Sequence, residues 1–304
     1  MKSILFIESP LQLLNAYEAI EKFSIQDYVI IVRFSKNLQN DEQISYLIDK
    51  FTIQNIKPIT IGASQKNLLD YFKLLYYKYF YQIPSDVDKV FIGNYDSGFL
   101  KLIMKKVPTD KIVLLDDGAK SIDIQAKFTD KFHYDLFTMY DFKPLYNQSI
   151  IKNNFQRLQK NLSDLELNKE EVLFLGLKLS EIGIVTQSYY LDQIIKITSY
   201  YKNKQIIYIA HRGEDKTKLQ KIDELDNVQV VQLDYPVELY GLYHTKIPYK
   251  VASFYSTALL TMKNIYGMEA EGFLFNYTDS KYKKAIDNVY TYYEKYFKVH
   301  NLNA

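Results

Sequence analysis

Ser3-Ile4-Leu5-Phe6-Ile7-Glu8-Ser9-Pro10 reads as a short strand that runs directly into the start of a helix. The apolar run has strand length. Ser before Pro supplies a cap followed by a first-turn proline, a standard helix opening. Behind it Leu11, Leu14, Tyr17, Ala19 and Ile20 fall at helical spacing. The same alternation continues along the chain. Strand-like runs lie at 3–7, 28–33, 56–61, 87–92 and 111–115, and a second series lies at 172–177, 206–209, 228–233, 250–254 and 270–275. Strands separated by helical patterns argue for parallel sheets built from right-handed crossovers. Two such series predict an α/β protein of two Rossmann-like domains with a cleft between them. The boundary is expected in the polar stretch Asn147 to Glu171, giving domains 1–155 and 156–304. A terminal helix over Asp279 to Phe297 is expected to pack back on the first domain.

Composition narrows the function. With 304 residues, 24% charged and 47% hydrophobic, the chain has the make-up of a folded protein rather than a disordered one. A net charge of +2, with no basic run interleaved with aromatics, argues against a nucleic-acid partner. The absence of cysteine removes disulfides, thiolate metal sites and thiol catalysis, and fits a reducing, cytoplasmic location. The opening apolar run is too short for the core of a secretory signal. No apolar stretch is long enough to span a bilayer. Leu68 to Tyr81, rich in Leu, Tyr, Phe and Lys, reads as a helix half-buried against a sheet. Its alternative is a helix lying on a membrane surface, which would make the protein peripheral on the inner membrane.

Ligands of open α/β sheets bind beyond the carboxyl ends of the strands, and two strings sit there. Asp116-Asp117-Gly118 ends the run at 111–115. Paired carboxylates at a strand end can hold one Asp as a general base with a raised pKa, and the Gly permits close approach or a positive φ. The plain alternative is an Asp-Gly turn or a helix cap. His211-Arg212-Gly213-Glu214 ends the run at 206–209. His211 could donate to a leaving phosphate while partly protonated near neutrality, and Arg212 could pair with phosphate or carboxylate oxygens. Its alternative is an ion pair of Arg212 with Glu214 or Asp215 on a solvated turn. Further on, Glu238 could accept from ribose hydroxyls or merely enrich a helix's first turn. Ser256 and Thr257 open the helix Ala258 to Tyr266, where hydroxyls cap and the helix start favours anions.

Taken in order, Asp116-Asp117-Gly118, His211, Pro236-Val237-Glu238 and Ser256-Thr257 resemble the motifs of bacterial CMP-sialic-acid-dependent sialyltransferases. Glu8-Ser9-Pro10-Leu11-Gln12-Leu13-Leu14-Asn15-Ala16 resembles the opening of the lipooligosaccharide sialyltransferase and capsule polysialyltransferase branch. The resemblance implies a GT-B fold and inverting, metal-independent transfer of sialic acid or a related nonulosonic acid to a glycan acceptor. CMP-sialic acid or a CMP-nonulosonate would be the donor substrate, with no further cofactor and no metal ligands. It implies Asp116 as the base, with Asp117 and Gly118 in support; a rival assignment makes Asp117 the base and Asp116 its support. His211 would assist departure of CMP, Ser256 and Thr257 would hold the phosphate, and Glu238 the ribose. Arg212 stands where the family's proline usually does, and Thr257 replaces a second Ser. Two other readings are a GT-B transferase using another nucleotide sugar, and a catalytically silent α/β protein of polysaccharide assembly.

Overall fold

The computed structural model describes residues 2–62, 67–129, 133–162, 165–277 and 281–302. The chain divides into two compact units, Met1–Leu158 and Gln159–Ala304, so the division falls within the polar stretch 147–171.

The first unit runs β1 (Lys2–Ile7), α1 (Pro10–Lys22), β2 (Asp27–Phe34), α2 (Leu38–Lys50), β3 (Ile56–Thr60), α3 (Leu68–Tyr79), β4 (Val87–Ile92), α4 (Gly98–Met104), β5 (Ile112–Leu115), α5 (Lys120–Gln125), β6 (Asp135–Thr138) and β7 (Ile150–Lys152). The strands form one parallel sheet in the order β3-β2-β1-β4-β5-β6-β7. β1 carries buried side chains on both faces, as a central parallel strand must. The Ser9 hydroxyl accepts the Gln12 amide at 3.4 Å and caps α1, with Pro10 at its first position. Strand order reverses between β1 and β4, the point where open α/β sheets leave a ligand crevice.

The second unit follows a short helix α6 (Gln156–Gln159) and runs β8 (Glu166–Leu175), α7 (Gln187–Tyr200), β9 (Gln205–Ile209), α8 (Lys216–Asp223), β10 (Val228–Val231), β11 (Lys246–Ser253), α9 (Ala258–Tyr266), β12 (Glu269–Phe273), α10 (Lys283–Tyr293) and β13 (Lys298–His300). Its parallel sheet is ordered β10-β9-β8-β11-β12-β13. Here the reversal lies between β8 and β11. Each unit has its own core: Ile4, Phe6, Val90, Ile92 and Leu114 in the first, Phe174, Tyr208, Phe254 and Phe273 in the second. Both units are therefore Rossmann-like, as the alternation of strands and helices implies.

Two expected helices can be followed in the structure. The start of the terminal helix at Asp279 lies outside the described residues. Its described part, α10, places Ile286 and Tyr290 in the second unit's own core and completes the crossover from β12 to β13. α3 buries Asp70 and Tyr77 and packs Leu74 against the first core, but leaves Leu68, Leu69, Tyr71, Phe72, Tyr76 and Tyr79 exposed.

Candidate active site

In the first unit the strand ends at the reversal carry a continuous polar cluster. Glu8, next after β1, accepts from Arg33 at 2.6 Å and from the Ser97 hydroxyl at 2.8 Å. The Arg33 guanidinium also donates to the carbonyls of Ile61 (3.0 Å) and Gly62 (3.2 Å). Gln12, in the first turn of α1, accepts the Glu8 amide through Oε1 at 2.8 Å and donates through Nε2 to Asp117 Oδ1 at 2.6 Å. Its place depends on Gly93 at the end of β4, where a Cβ would lie 2.4 Å from Gln12 Oε1. One hydrogen-bonded chain thus runs from β2 through β1 to the end of β5.

The two carboxylates of Asp116-Asp117-Gly118 part there. Asp116 turns inward, 2% exposed. Its Oδ1 accepts the Thr138 hydroxyl and its Oδ2 the Met139 amide, each at 2.7 Å, so it ties β5 to the end of β6. Burial pushes its carboxyl up to about 6 against the pull of those bonds. Asp117 points the other way. Its Oδ1 is held by Gln12, whereas Oδ2 makes no hydrogen bond and has Lys120 at 3.4 Å. Burial also raises this carboxyl, while the Lys120 charge and the Gln12 bond lower it. Gly118 has φ +63°, a backbone that strongly favours glycine; its carbonyl accepts the Tyr140 hydroxyl at 3.0 Å. The string is a turn, but one that aims a single carboxylate oxygen. Both oxygens of Asp116 accept hydrogen bonds, whereas Asp117 has one oxygen that accepts none.

The second unit gathers its candidates on loops after β9, β10 and β11. His211 follows β9 by two residues. Its Nδ1 accepts the Gly213 amide at 3.0 Å, which requires a lone pair there and leaves the proton of the neutral ring on Nε2. Burial, with Lys178 and Arg212 close by, pushes the imidazole down to about 4. The expected partly protonated ring is therefore replaced by a neutral one. Glu214 does not pair with Arg212 on a solvated turn. Its side chain is fully buried, accepting the His211 amide at 2.6 Å and the Tyr208 hydroxyl at 2.7 Å, with Lys218 at 2.9 Å. Lys218 is itself fully buried and also meets Glu181 at 2.9 Å. Gly176, at the end of β8, leaves room for this cluster, since a Cβ would stand 2.3 Å from the Glu214 carboxylate. Asp215 caps α8, accepting from the amides of Thr217 and Lys218.

Pro236 opens a 3-10 turn, Val237–Leu242, that carries Glu238. This carboxylate is buried and pushed up by desolvation, with the Arg212 charge pulling it back. Arg212 and Glu238 are thus drawn to one place. Ser256 and Thr257 precede α9, as expected. Ser256 Oγ accepts the Ala258 amide at 3.3 Å, whereas Thr257 makes no side-chain cap bond. The Tyr293 hydroxyl donates to the Ser256 carbonyl at 2.8 Å and fixes the loop.

Sequence reasoning picked the strand-end strings and passed over Gln12, Arg33, Ser97, Lys178 and Lys218. Glu8 and Gln12 lay within a string that carried the family resemblance, and Gly93 at a strand end was a further signal. Nothing in the sequence marks Lys178 as the neighbour of His211.

No family model and no curated protein matches the chain. Solved structures do. S. aureus MnaA bound to UDP aligns with a TM-score of 0.60 at 12% identity, over 97% of this chain and 87% of that one. The UDP-GlcNAc 2-epimerase of Methanocaldococcus jannaschii, with UDP-GlcNAc and UDP, aligns at 0.59 and 14%, over 100% and 90%. The chain has the GT-B fold. Acinetobacter baumannii MurG, at 0.52 and 10% over 99% and 86%, agrees with that. None of the three is a CMP-sialic-acid-dependent sialyltransferase, and at these identities the likeness speaks for the fold alone.

Proposed function

We propose that the protein is an inverting, metal-independent glycosyltransferase that moves sialic acid or a related nonulosonic acid from a CMP donor to a glycan hydroxyl. The observation that carries a transferase reading is Asp117: a largely buried carboxylate at a strand end, oriented through one oxygen by Gln12 and facing the Lys120 ammonium at 3.4 Å through the other. In this reading Asp117 Oδ2 takes the acceptor's proton as the acceptor oxygen attacks the anomeric carbon. The bond from that carbon to the phosphate oxygen breaks, and its electron pair leaves with CMP. Attack opposite the leaving group inverts the centre.

The second unit supplies the groups for the leaving phosphate. The Ser256 and Thr257 hydroxyls and the start of α9 would hold it. His211 would donate from Nε2, and a phosphate dianion beside the ring would favour its protonated form. Glu238, with Arg212 near it, would take the ribose hydroxyls. The charge on a single phosphate is within reach of this set, which lacks the Gly-rich loop a pyrophosphate would favour. The order of these residues is that of the CMP-sialic-acid-dependent family, which supports CMP as the nucleotide. A second reading, a UDP-sugar donor, is favoured by the UDP held in the S. aureus and M. jannaschii structures.

The test is product formation with CMP-sialic acid and with UDP-GlcNAc over a glycan array, in the presence of a chelator. Transfer from the CMP sugar supports the proposal. Transfer from the UDP sugar alone supports the second reading, and transfer from neither leaves a silent α/β protein.

A further inference from the structure

We infer that the outer face of α3 is a docking surface for an anionic lipid bilayer. Of the fourteen exposed large hydrophobic side chains among the described residues, seven lie between residues 68 and 80: Leu68, Leu69, Tyr71, Phe72, Tyr76, Tyr79 and Phe80, from 51% to 72% exposed. A patch this contiguous on a folded domain marks an interaction site. The polarity of α3 is inverted relative to a core helix. Its one carboxylate, Asp70, faces inward, accepting the Gly62 amide at 3.0 Å and Lys36 at 2.8 Å, and Tyr77 packs into the first core.

The arrangement of charge selects the partner. At about 100° per residue, Leu68, Phe72, Tyr76 and Tyr79 form the centre of the outward stripe. Lys73 and Lys78 fall on its opposite flanks. Among the described residues from Thr52 to Ser85 the only acid is Asp70, against Lys57, Lys73 and Lys78. Lys106 adds a further cation at the helix end, donating to the carbonyls of Tyr77 (2.7 Å) and Tyr81 (2.6 Å). An apolar stripe between lysines, with tyrosines whose hydroxyls can stay at the headgroups, fits a helix lying in a membrane interface. At twelve residues α3 is too short to cross, and no described helix is long and apolar enough to do so. This surface does not depend on which nucleotide the protein uses.

The experiment is co-sedimentation of the full chain with phosphatidylglycerol–phosphatidylcholine vesicles and with pure phosphatidylcholine vesicles, at low and high salt. The parent should bind the anionic vesicles, more weakly at high salt, and bind pure phosphatidylcholine far less. Phe72→Ser with Phe80→Ser should cut partitioning at least about tenfold, since both rings leave the interface. Lys73→Glu with Lys78→Glu should remove the preference for anionic lipid, each lysine being worth about fivefold. All four positions are exposed, so unchanged thermal unfolding is expected and separates docking from folding. Absence of vesicle binding by the parent at low salt overturns the inference. So does binding that survives both double substitutions, or sedimentation velocity showing a dimer that the Phe72→Ser/Phe80→Ser chain loses while vesicles are ignored.

Discussion

The end of β5 and the end of β9 are topologically alike: each lies beyond the carboxyl edge of a parallel Rossmann-like sheet and begins a turn into a helix. Their electrostatics are opposite. After β5, burial acts on carboxylates and raises both Asp116 and Asp117. After β9, burial acts on an imidazole flanked by Lys178 and Arg212 and lowers it. The first environment favours a group that gains a proton, the second one that awaits an anion. The comparison teaches that strand-end placement only locates a site. The neighbours that arrive from distant sequence, Gln12 and Thr138 in one case and Lys178 in the other, assign its chemistry.

The largest effect should come from separating the two aspartates. Asp117→Ala is expected to lower turnover by a factor of roughly a hundred to ten thousand, the usual worth of a general base, with nucleotide affinity unchanged. Asp116→Asn should keep far more activity, because it removes a structural contact and not the aimed oxygen. Steady-state kinetics on both variants check this, and the reverse ranking would return the base to Asp116.

Next comes stability against pH. Asp116 is held at about 6, above its ordinary 3.8, so the folded state binds the extra proton between those values and parent stability falls as pH rises through them. The span corresponds to a contribution on the order of 3 kcal/mol. His211, held at about 4 against 6.5, works the other way, and stability rises with pH as the unfolded chain gives up that proton. Denaturant titrations from pH 4 to 7 should therefore show Asp116→Asn gaining stability relative to the parent as pH rises, and His211→Ala losing it. Parallel curves for parent and variants would remove the contrast between the two strand ends.

Thr257→Val keeps the shape of the side chain and deletes one hydroxyl that makes no cap bond. It should weaken nucleotide binding about tenfold, the worth of a hydrogen bond to a charged group, and leave thermal unfolding unchanged. The smallest effect is expected at Gln12. Removing its bond in Gln12→Ala should raise the Asp117 pKa further, so the acid limb of the pH–rate profile moves to higher pH while turnover on the plateau falls only a few-fold. A limb that does not move would show that Gln12 merely fills space.

Much of the architecture was legible because it is written in local periodicity. The ten apolar runs all became strands, and the Ser9-Pro10 helix start and the helix Ala258–Tyr266 stand where their residues predict. β6, β7 and β13 escaped because runs of three or four residues at or near a sheet edge have too little pattern to read. α3 misled for a different reason. Its composition is that of a packed helix, and the burial of Asp70 and Tyr77, with Leu74 against the core, shows which side faces the protein. Which of the two aspartates leaves an oxygen without a hydrogen bond was not legible in the sequence. Side chains alternate faces along a strand, but past Leu115 the direction of Asp116 and Asp117 depends on the Gly118 turn and on partners from α1 and β6. The lowered pKa of His211 comes first from its burial and then from Lys178, thirty-three positions away.

The central claim is a division of labour, with nucleotide on the second unit and the base on the first. Calorimetric titration of the full chain with CMP, UMP, UDP and GDP, in the presence of EDTA, tests it most directly when repeated on Asp117→Ala and His211→Ala. The account predicts that CMP binds best, that its affinity is unchanged in Asp117→Ala, and that it weakens in His211→Ala. Tight UDP binding with no CMP binding, or loss of CMP binding in Asp117→Ala, would contradict it.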